Sequence, residues 1–233
     1  MKRLDFILSN AGLGSRKTVS ELIKTGQIQV NDNIITEPNA QISEDAEIKF
    51  NNKSIKTEKF IYIMMNKQAD YVCTNFDDKR SVLHIIPPEF KRKDLFTVGR
   101  LDIDTTGLLL ITNDGGFAHK IITPKKLITK IYQTNLQYPI TQKDIESLKN
   151  GIQLSNNEQC KPAIIEVLAE DSKTINIYIN EGKYHQVKRM IGACENRVIN
   201  LKRTSIGSLK LDPKLNPGEC KLLSDDEKAL IFI

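Results

Sequence analysis

The sequence predicts an α+β protein: a small N-terminal helix–helix–hairpin unit, then a larger unit built on a mainly antiparallel sheet with flanking helices. Three observations predict it. The first 50 residues place two short amphipathic helices before alternating strand-like segments. From Phe60 onward, short apolar runs separated by turn residues outnumber helical stretches and do not alternate regularly with them, as a parallel βαβ sheet would require. The chain is also long enough, at 233 residues with 39% hydrophobic content, to bury one large core or a small and a medium one.

Taken in order, Leu4, Phe6, Ile7 and Leu8 form an apolar helix face that Gly12 and Gly14 interrupt. Ser15 is a good N-cap for a second helix running to about Thr25, with Val19, Leu22 and Ile23 inward, and Gly26 supplies its C-cap. Gln27 to Val30 alternates like a strand. Asn31-Asp32-Asn33 makes a turn, Ile34-Ile35 returns, and Glu47 to Phe50 adds a third strand. The polar run Asn51 to Lys59 reads as a linker. The division is therefore 1–50, a linker at 51–59, and a second domain at 60–233.

In that domain, strands are expected at Phe60 to Met65, from Tyr71 to Cys73, at Asp94 to Val98, and at Leu108 to Thr112. A short helix from Phe117 to Ile122 stops at Pro124. Leu127 to Leu136 is strand-like. A helix capped by Thr141 runs to Lys149, and strands follow at Ala163 to Leu168 and Thr174 to Ile179. Helix Tyr184 to Cys194, strand Val198 to Arg203 and helix Asp225 to Ile231 complete the chain.

Composition narrows the function classes. No segment approaches the 18 consecutive apolar residues of a membrane span, and the charged N-terminus does not read as a secretory signal. The four cysteines, Cys73, Cys160, Cys194 and Cys220, contain no C-x-x-C pair. That argues against a zinc site and a disulfide framework, so a cytoplasmic protein with free thiols is expected. The net charge of +5 is mild, but its distribution is uneven. Residues 1–31 hold five bases against two acids, residues 183–221 nine against three, and residues 32–58 are net acidic. Two separated basic surfaces suit a polyanion gripped at two places, although two solvated faces would give the same count.

The stretch VGRLDIDTTG, Val98 to Gly107, is too polar for a core strand and is held between two apolar ones. Such loops are where chemistry tends to sit. Asp102 and Asp104 could hold a metal, but no further ligand set accompanies them. They could form a glycosidase pair, but carboxylates two residues apart rarely flank one bond. One of them could be a lone nucleophile or base kept ionised by a cation, with Arg100, Lys188 and Arg189 as candidates. Asp104 fits the ordinary reading of a loop aspartate making turn hydrogen bonds.

Two resemblances sharpen these alternatives. Arg3-Leu4-Asp5, the glycine before Ser15-Arg16-Lys17, Ile23-Lys24-Thr25-Gly26 and Val30-Asn31 resemble the S4 (α-L) RNA-binding domain over most of residues 1–50. That resemblance implies phosphate contacts from Arg3, Arg16, Lys17 and Lys24. Bases are mildly unfavourable at a helix N-terminus, so Arg16 and Lys17 lean towards function. GRLDIDTTGLLL at Gly99 to Leu110 is similar to the signature of the pseudouridine synthases, and EGKYHQVKRM at Glu181 to Met190 to their ribosomal RNA branch. IDTTGL followed by NDGGFAHKI resembles the subgroup that isomerises uridine 516 of 16S rRNA.

The resemblance implies a catalytic Asp102, a Tyr132 that stacks on the flipped uracil and is a candidate base for the C5 proton, and a Lys188 that pairs with the aspartate. It leaves Arg189 as runner-up for that pairing and as an RNA contact, and gives Arg100 the gap left by the flipped nucleotide. It implies no metal or other cofactor, a ribosomal RNA or small-subunit assembly intermediate as partner, and a monomer off the membrane. A large-subunit 23S rRNA enzyme and a non-catalytic ribosome-assembly RNA-binding protein are the competing readings. The chain departs from the family at Lys67-Gln68-Ala69-Asp70, where Lys-Pro-x-Gly is usual, which puts the local turn in question. His119 and His185 have no spaced partner; His185 orients its helix or contacts RNA, and a satisfied structural histidine is the ordinary reading of both.

Overall fold

The computed structural model describes residues 1–43, 45–55, 60–74, 78–123, 126–155 and 157–233. The chain forms two compact units, one of Met1–Ile61 with Pro87–Leu95, the other of Tyr62–Ile86 with Phe96–Ile233.

The first unit contains β1 (Lys2–Arg3), α1 (Leu4–Asn10), α2 (Arg16–Lys24), β2 (Ile28–Val30), β3 (Asn33–Ile34), β4 (Gln41–Ile42), β5 (Ile48–Phe50) and β6 (Lys53–Ile55). The Thr18 amide donates to the Ser15 hydroxyl at 3.1 Å, so the expected N-cap is present. Val19 and Ile23, four residues apart, face a core with Leu4, Leu8, Ile28 and Ile48. Arg3, Arg16, Lys17 and Lys24 are exposed. Antiparallel pairing gives a sheet in the order β3-β2-β5-β6, and β1 pairs with β4. The stretch expected as a linker starts differently. Asn51 and Asn52 both take positive φ, 49° and 61°, which turns the chain back so that Lys53–Ile55 pairs with β5. Residues 56–59 lie outside the described residues, as does Pro124, the expected helix stop.

The second unit contains β7 (Tyr62–Lys67), β8 (Phe96–Thr97), β9 (Thr106–Thr112), α3 (Gly115–Ile122), β10 (Lys130–Leu136), α4 (Gln142–Lys149), β11 (Ile164–Val167), β12 (Thr174–Ile179), α5 (Gln186–Ala193), β13 (Val198–Ile206), β14 (Leu209–Lys210), β15 (Cys220–Leu222) and α6 (Asp225–Leu230). Its sheet runs β11-β12-β10-β13-β9-β7-β15, with β14 on β13 and β8 on β9. Every pair is antiparallel except β9 with β13, which pair in parallel at Thr106–Lys202 and Gly107–Arg203. Leu148, Ile175, Ile177, Val187 and Met190 centre one core; Met64, Leu108, Leu110, Ile121 and Ile206 centre another. Among the described residues no helix is long and apolar enough to cross a membrane.

Two expected elements change. Tyr71 to Cys73 is not a strand; Val72 makes a single parallel bridge to Ser81. The helix expected from Tyr184 begins at Gln186, because His185 takes a left-handed φ of 47° that no helix interior accepts.

Candidate active site

The loop carrying Asp102 leaves β8 and turns into β9. The Thr105 amide donates to the Asp102 carbonyl at 3.1 Å, which tightens the turn. Lys67, at the end of β7 and 0% exposed, pins the loop from beneath. Its ammonium donates to the carbonyls of Thr105 at 2.9 Å, Ile103 at 3.2 Å and Gln68 at 3.0 Å. Burial pulls the Lys67 ammonium below the usual lysine range, although Cys73, Asp104 and Asp102 oppose it. The Asp70 amide adds a bond to the Ile103 carbonyl at 2.9 Å. At the departure from the family pattern, Asp70 itself supplies the left-handed conformation, φ 70°, that a glycine would adopt without strain. Lys67 therefore holds the loop that bears Asp102, a role that nothing in its local sequence signals.

The Asp102 carboxylate meets two side chains from the start of α5. Lys188 Nζ lies 3.3 Å from Oδ2 and His185 Nε2 lies 3.4 Å from Oδ1. The expected Lys188 pairing is thus present in the geometry, but Lys188 is shared: it donates to Asp104 Oδ1 at 2.5 Å. Burial works against the charge of Lys188; the Asp104 hydrogen bond and both carboxylates outweigh it and raise the ammonium above its usual value. That same hydrogen bond lowers the Asp104 carboxyl, with burial opposing. Asp104, expected only as a turn former, is therefore the closer carboxylate on Lys188. His185, read as structural, faces the acid instead; its left-handed backbone and its stacking on Tyr184, ring centroids 3.8 Å apart, set that orientation.

Arg189 points elsewhere. It donates to Glu158 at 3.0 Å and to the Tyr184 carbonyl at 3.1 Å, while Lys183 reaches the same glutamate at 2.9 Å. The buried Gln186 ties the preceding loop, donating to Glu181 at 2.7 Å and accepting from the Lys183 amide at 2.9 Å. That loop is thereby fixed against the first turn of α5, which bears Lys188.

Tyr132, on β10, shares a recess of about 70 Å³ with Asp102, Thr105, His185 and Leu201. A wider cleft of about 510 Å³ adjoins it and shares Arg100, Asp102, Lys183 and His185 as walls. Arg100 is exposed at the mouth. The structure brings Asp102, Tyr132, Lys188 and Arg100 together, and leaves Arg189 bound to Glu158. Arg3, Arg16, Lys17 and Lys24 stand in the first unit. There Arg3 forks onto Asp5 at 3.1 and 2.8 Å, and the Arg16 guanidinium lies 5.5 Å from the Phe6 ring.

One residue near Tyr132 was not anticipated. Arg203, 4% exposed, donates from Nε to the Leu108 carbonyl at 2.8 Å and from NH1 to the Tyr132 hydroxyl at 3.4 Å. The alternation of buried Leu201, Arg203 and Ser205 along β13 turns it inward, a pattern visible in the sequence as soon as this stretch is read as a strand.

Comparison with known proteins shows similarity over nearly the whole chain. The RNA pseudouridylate synthase family matches residues 61–193, and the S4 domain matches residues 2–48. An RNA pseudouridine synthase of Bacillus subtilis, itself uncharacterised, is 39% identical, covering 98% of both chains. The ribosomal small subunit pseudouridine synthase A of Vibrio cholerae is 38% identical over 99% of each chain, and that of Escherichia coli 35% over 98% and 99%. A solved pseudouridylate synthase superposes with a TM-score of 0.69 at 36% identity, covering 99% of this chain and all of that one.

Proposed function

Since the chain belongs to the RNA pseudouridylate synthase family and carries an S4 domain in front, we propose that it isomerises one uridine of small-subunit ribosomal RNA, uridine 516 of 16S rRNA, to pseudouridine. That it is an RNA pseudouridine synthase follows from the family. The choice of the small subunit rests on relatives named for that subunit, similar over nearly their whole length.

The reaction breaks the bond between N1 and C1′, turns the uracil within the site, joins C5 to C1′, and removes the C5 proton while N1 takes one up. Nothing is gained or lost overall, so acid–base groups and a nucleophile suffice in principle. A stacked uridine is out of reach and must first be extruded, at a cost of a few kcal/mol. Arg100, exposed at the mouth of the cleft, is placed to occupy the gap it leaves. Asp102 acts on the ribose, either by attacking it or by removing a proton from it. Lys188 Nζ and His185 Nε2 face that carboxylate at 3.3 and 3.4 Å and are placed to hold its orientation towards the ribose. Tyr132 stacks on the freed uracil and is the candidate base for the C5 proton. The single observation that carries this reading is that Asp102 and Tyr132, 30 residues apart in sequence (132 − 102), line one recess.

Two experiments test it. Asp102→Asn keeps the shape of the side chain and removes its charge; pseudouridine formation should fall by about 10³-fold or more while RNA binding persists. Retained turnover would remove Asp102 from the mechanism. Mapping pseudouridines in 16S and 23S rRNA from a strain lacking the gene should show one loss, in 16S. A loss confined to 23S would assign the enzyme to the large subunit, and no loss anywhere would favour a binding role in ribosome assembly.

A further inference from the structure

Arg203 poses a problem that the reaction described so far does not use. A buried guanidinium is costly unless a carboxylate compensates it. Among the described residues no carboxylate lies within ion-pairing distance of Arg203. Its NH2 nitrogen is buried with no hydrogen-bond partner at all. Holding the sheet together does not require this charge, because the Leu108 carbonyl engages only Nε, and a neutral donor would serve there. The rest of the guanidinium faces Tyr132: NH1 reaches the hydroxyl at 3.4 Å, and the guanidinium carbon stands 5.9 Å from the ring centroid.

A second cation lies near it. Lys130 sits two residues before Tyr132 on β10 and also lacks a carboxylate partner among the described residues. Burial and then Arg203 push its ammonium down to about 8. Two cations thus stand behind the Tyr132 ring with no ion-pairing carboxylate of their own among the described residues, while Asp102 lines the same recess. Buried charges of this kind, kept at a cost in stability, concentrate where chemistry needs them.

We propose that Arg203 is a positioning residue for pseudouridine formation: it fixes the Tyr132 hydroxyl and supplies the counter-charge for negative charge that develops at that oxygen or on the uracil stacked over the ring. The proposal rests on the placement of uracil against Tyr132 given above. It explains why an arginine stands here, since the guanidinium can hold the strand through Nε and still present NH1 to the tyrosine hydroxyl.

The test reads the link to Tyr132 and the reaction separately. The full-length protein is labelled with fluorotyrosine, and the Tyr132 fluorine resonance is identified by its absence from Tyr132→Phe. Arg203→Met should shift or broaden that resonance in the RNA-free protein. On a 16S rRNA fragment carrying tritium at uridine C5, tritium release should show kcat lowered by about 10²-fold with KM changed less than about twofold. Arg203→Lys, which keeps the charge, should retain more activity than Arg203→Gln, which keeps only a donor. These two polar variants also carry the test should Arg203→Met fail to fold, with melting curves as the control. An unmoved Tyr132 resonance overturns the proposal, as does an unchanged kcat, or a lysine variant no better than the glutamine one. If the wild-type protein releases no tritium from either ribosomal RNA, the assignment of the reaction to this site fails instead, and the resonance still reports whether Arg203 holds Tyr132.

Discussion

Lys188 and Arg189 are adjacent in sequence, yet they serve different carboxylates. Successive residues on a helix point about 100° apart. With α5 fixed by Gln186, that step sends Lys188 to Asp102 and Asp104 and Arg189 to Glu158. Lys130 is the opposite case, a cation with no acid to meet among the described residues, and its titration is open to measurement. Its folded-state value of about 8 lies below the ordinary 10.5, from burial first and Arg203 second. Below about pH 8 both folded and unfolded chains keep the proton, and the folded state bears the full cost of the charge. Between about 8 and 10.5 the unfolded chain still holds the proton while the folded one has lost it, so stability gains with rising pH. Lys130→Met should therefore be more stable than wild type at pH 7, and the difference should shrink on going to pH 10. Urea midpoints for the two proteins at each pH would check this. An advantage that is equal at both values, or absent at pH 7, would show that the charge is not penalised.

At the scale of elements, the contact between β9 and β13 joins the two halves of the site. Gly107 takes φ 97°, and a Cβ there would fall 2.2 Å from the Arg203 carbonyl oxygen and 2.9 Å from its nitrogen. Neither neighbour is a flexible side-chain end, so the strands must part. Gly107→Ala should cost about 1–3 kcal/mol from overpacking, before any strain from its positive φ. Because the shift moves Arg203 and the end of the Asp102 loop together, activity should fall further than stability alone explains. Chemical denaturation beside tritium release would separate the two, and a variant with normal stability and turnover would show that the strands have room. The elements themselves were legible to differing degrees. The Ser15 and Thr141 caps and the alternation of Thr174 to Ile179 are local signals, and each element formed where its signal lay. β1, β4 and β14 have two residues each, too few to show a period. β6 was hidden because Asn51-Asn52, a turn pair, sits within a polar run that also suits a linker. In the site, Asp102 and Lys188 are candidates from the residues alone, but the choice among the candidates, and Tyr132, came only through a family resemblance, since no spacing rule joins residues from a loop, a strand and a helix. Lys67 and Arg203 were missed because their partners are mostly backbone carbonyls, which the side-chain sequence does not display.

Over the whole molecule, charge is divided between a unit that holds the chemistry and a smaller one whose exposed bases suit RNA phosphates. In the smaller unit, Arg3 is partly neutralised by Asp5, whereas Arg16 and Lys17 make no ion pair among the described residues and Ser15 holds their helix start in place. Their position is electrostatically unfavourable for folding, because the N-terminal turn of a helix already carries partial positive charge. Phosphate oxygens would relieve that repulsion, and a helix start with its free amides is a place where phosphates bind readily. If both side chains meet phosphates, each releases condensed counterions and adds about 0.7 to the slope of log affinity against log salt on single-stranded RNA. Replacing both by glutamate should weaken binding at every salt concentration and flatten that slope by at least about 1.4, two contacts' worth. It should raise KM on the rRNA fragment as well. Titrations of both proteins between 50 and 200 mM salt, the range over which such contacts are strongly screened, would measure the slopes. Parallel lines for variant and wild type would mean that the two bases serve only as a solvated helix face, and would leave RNA affinity to the second basic stretch at residues 183–221.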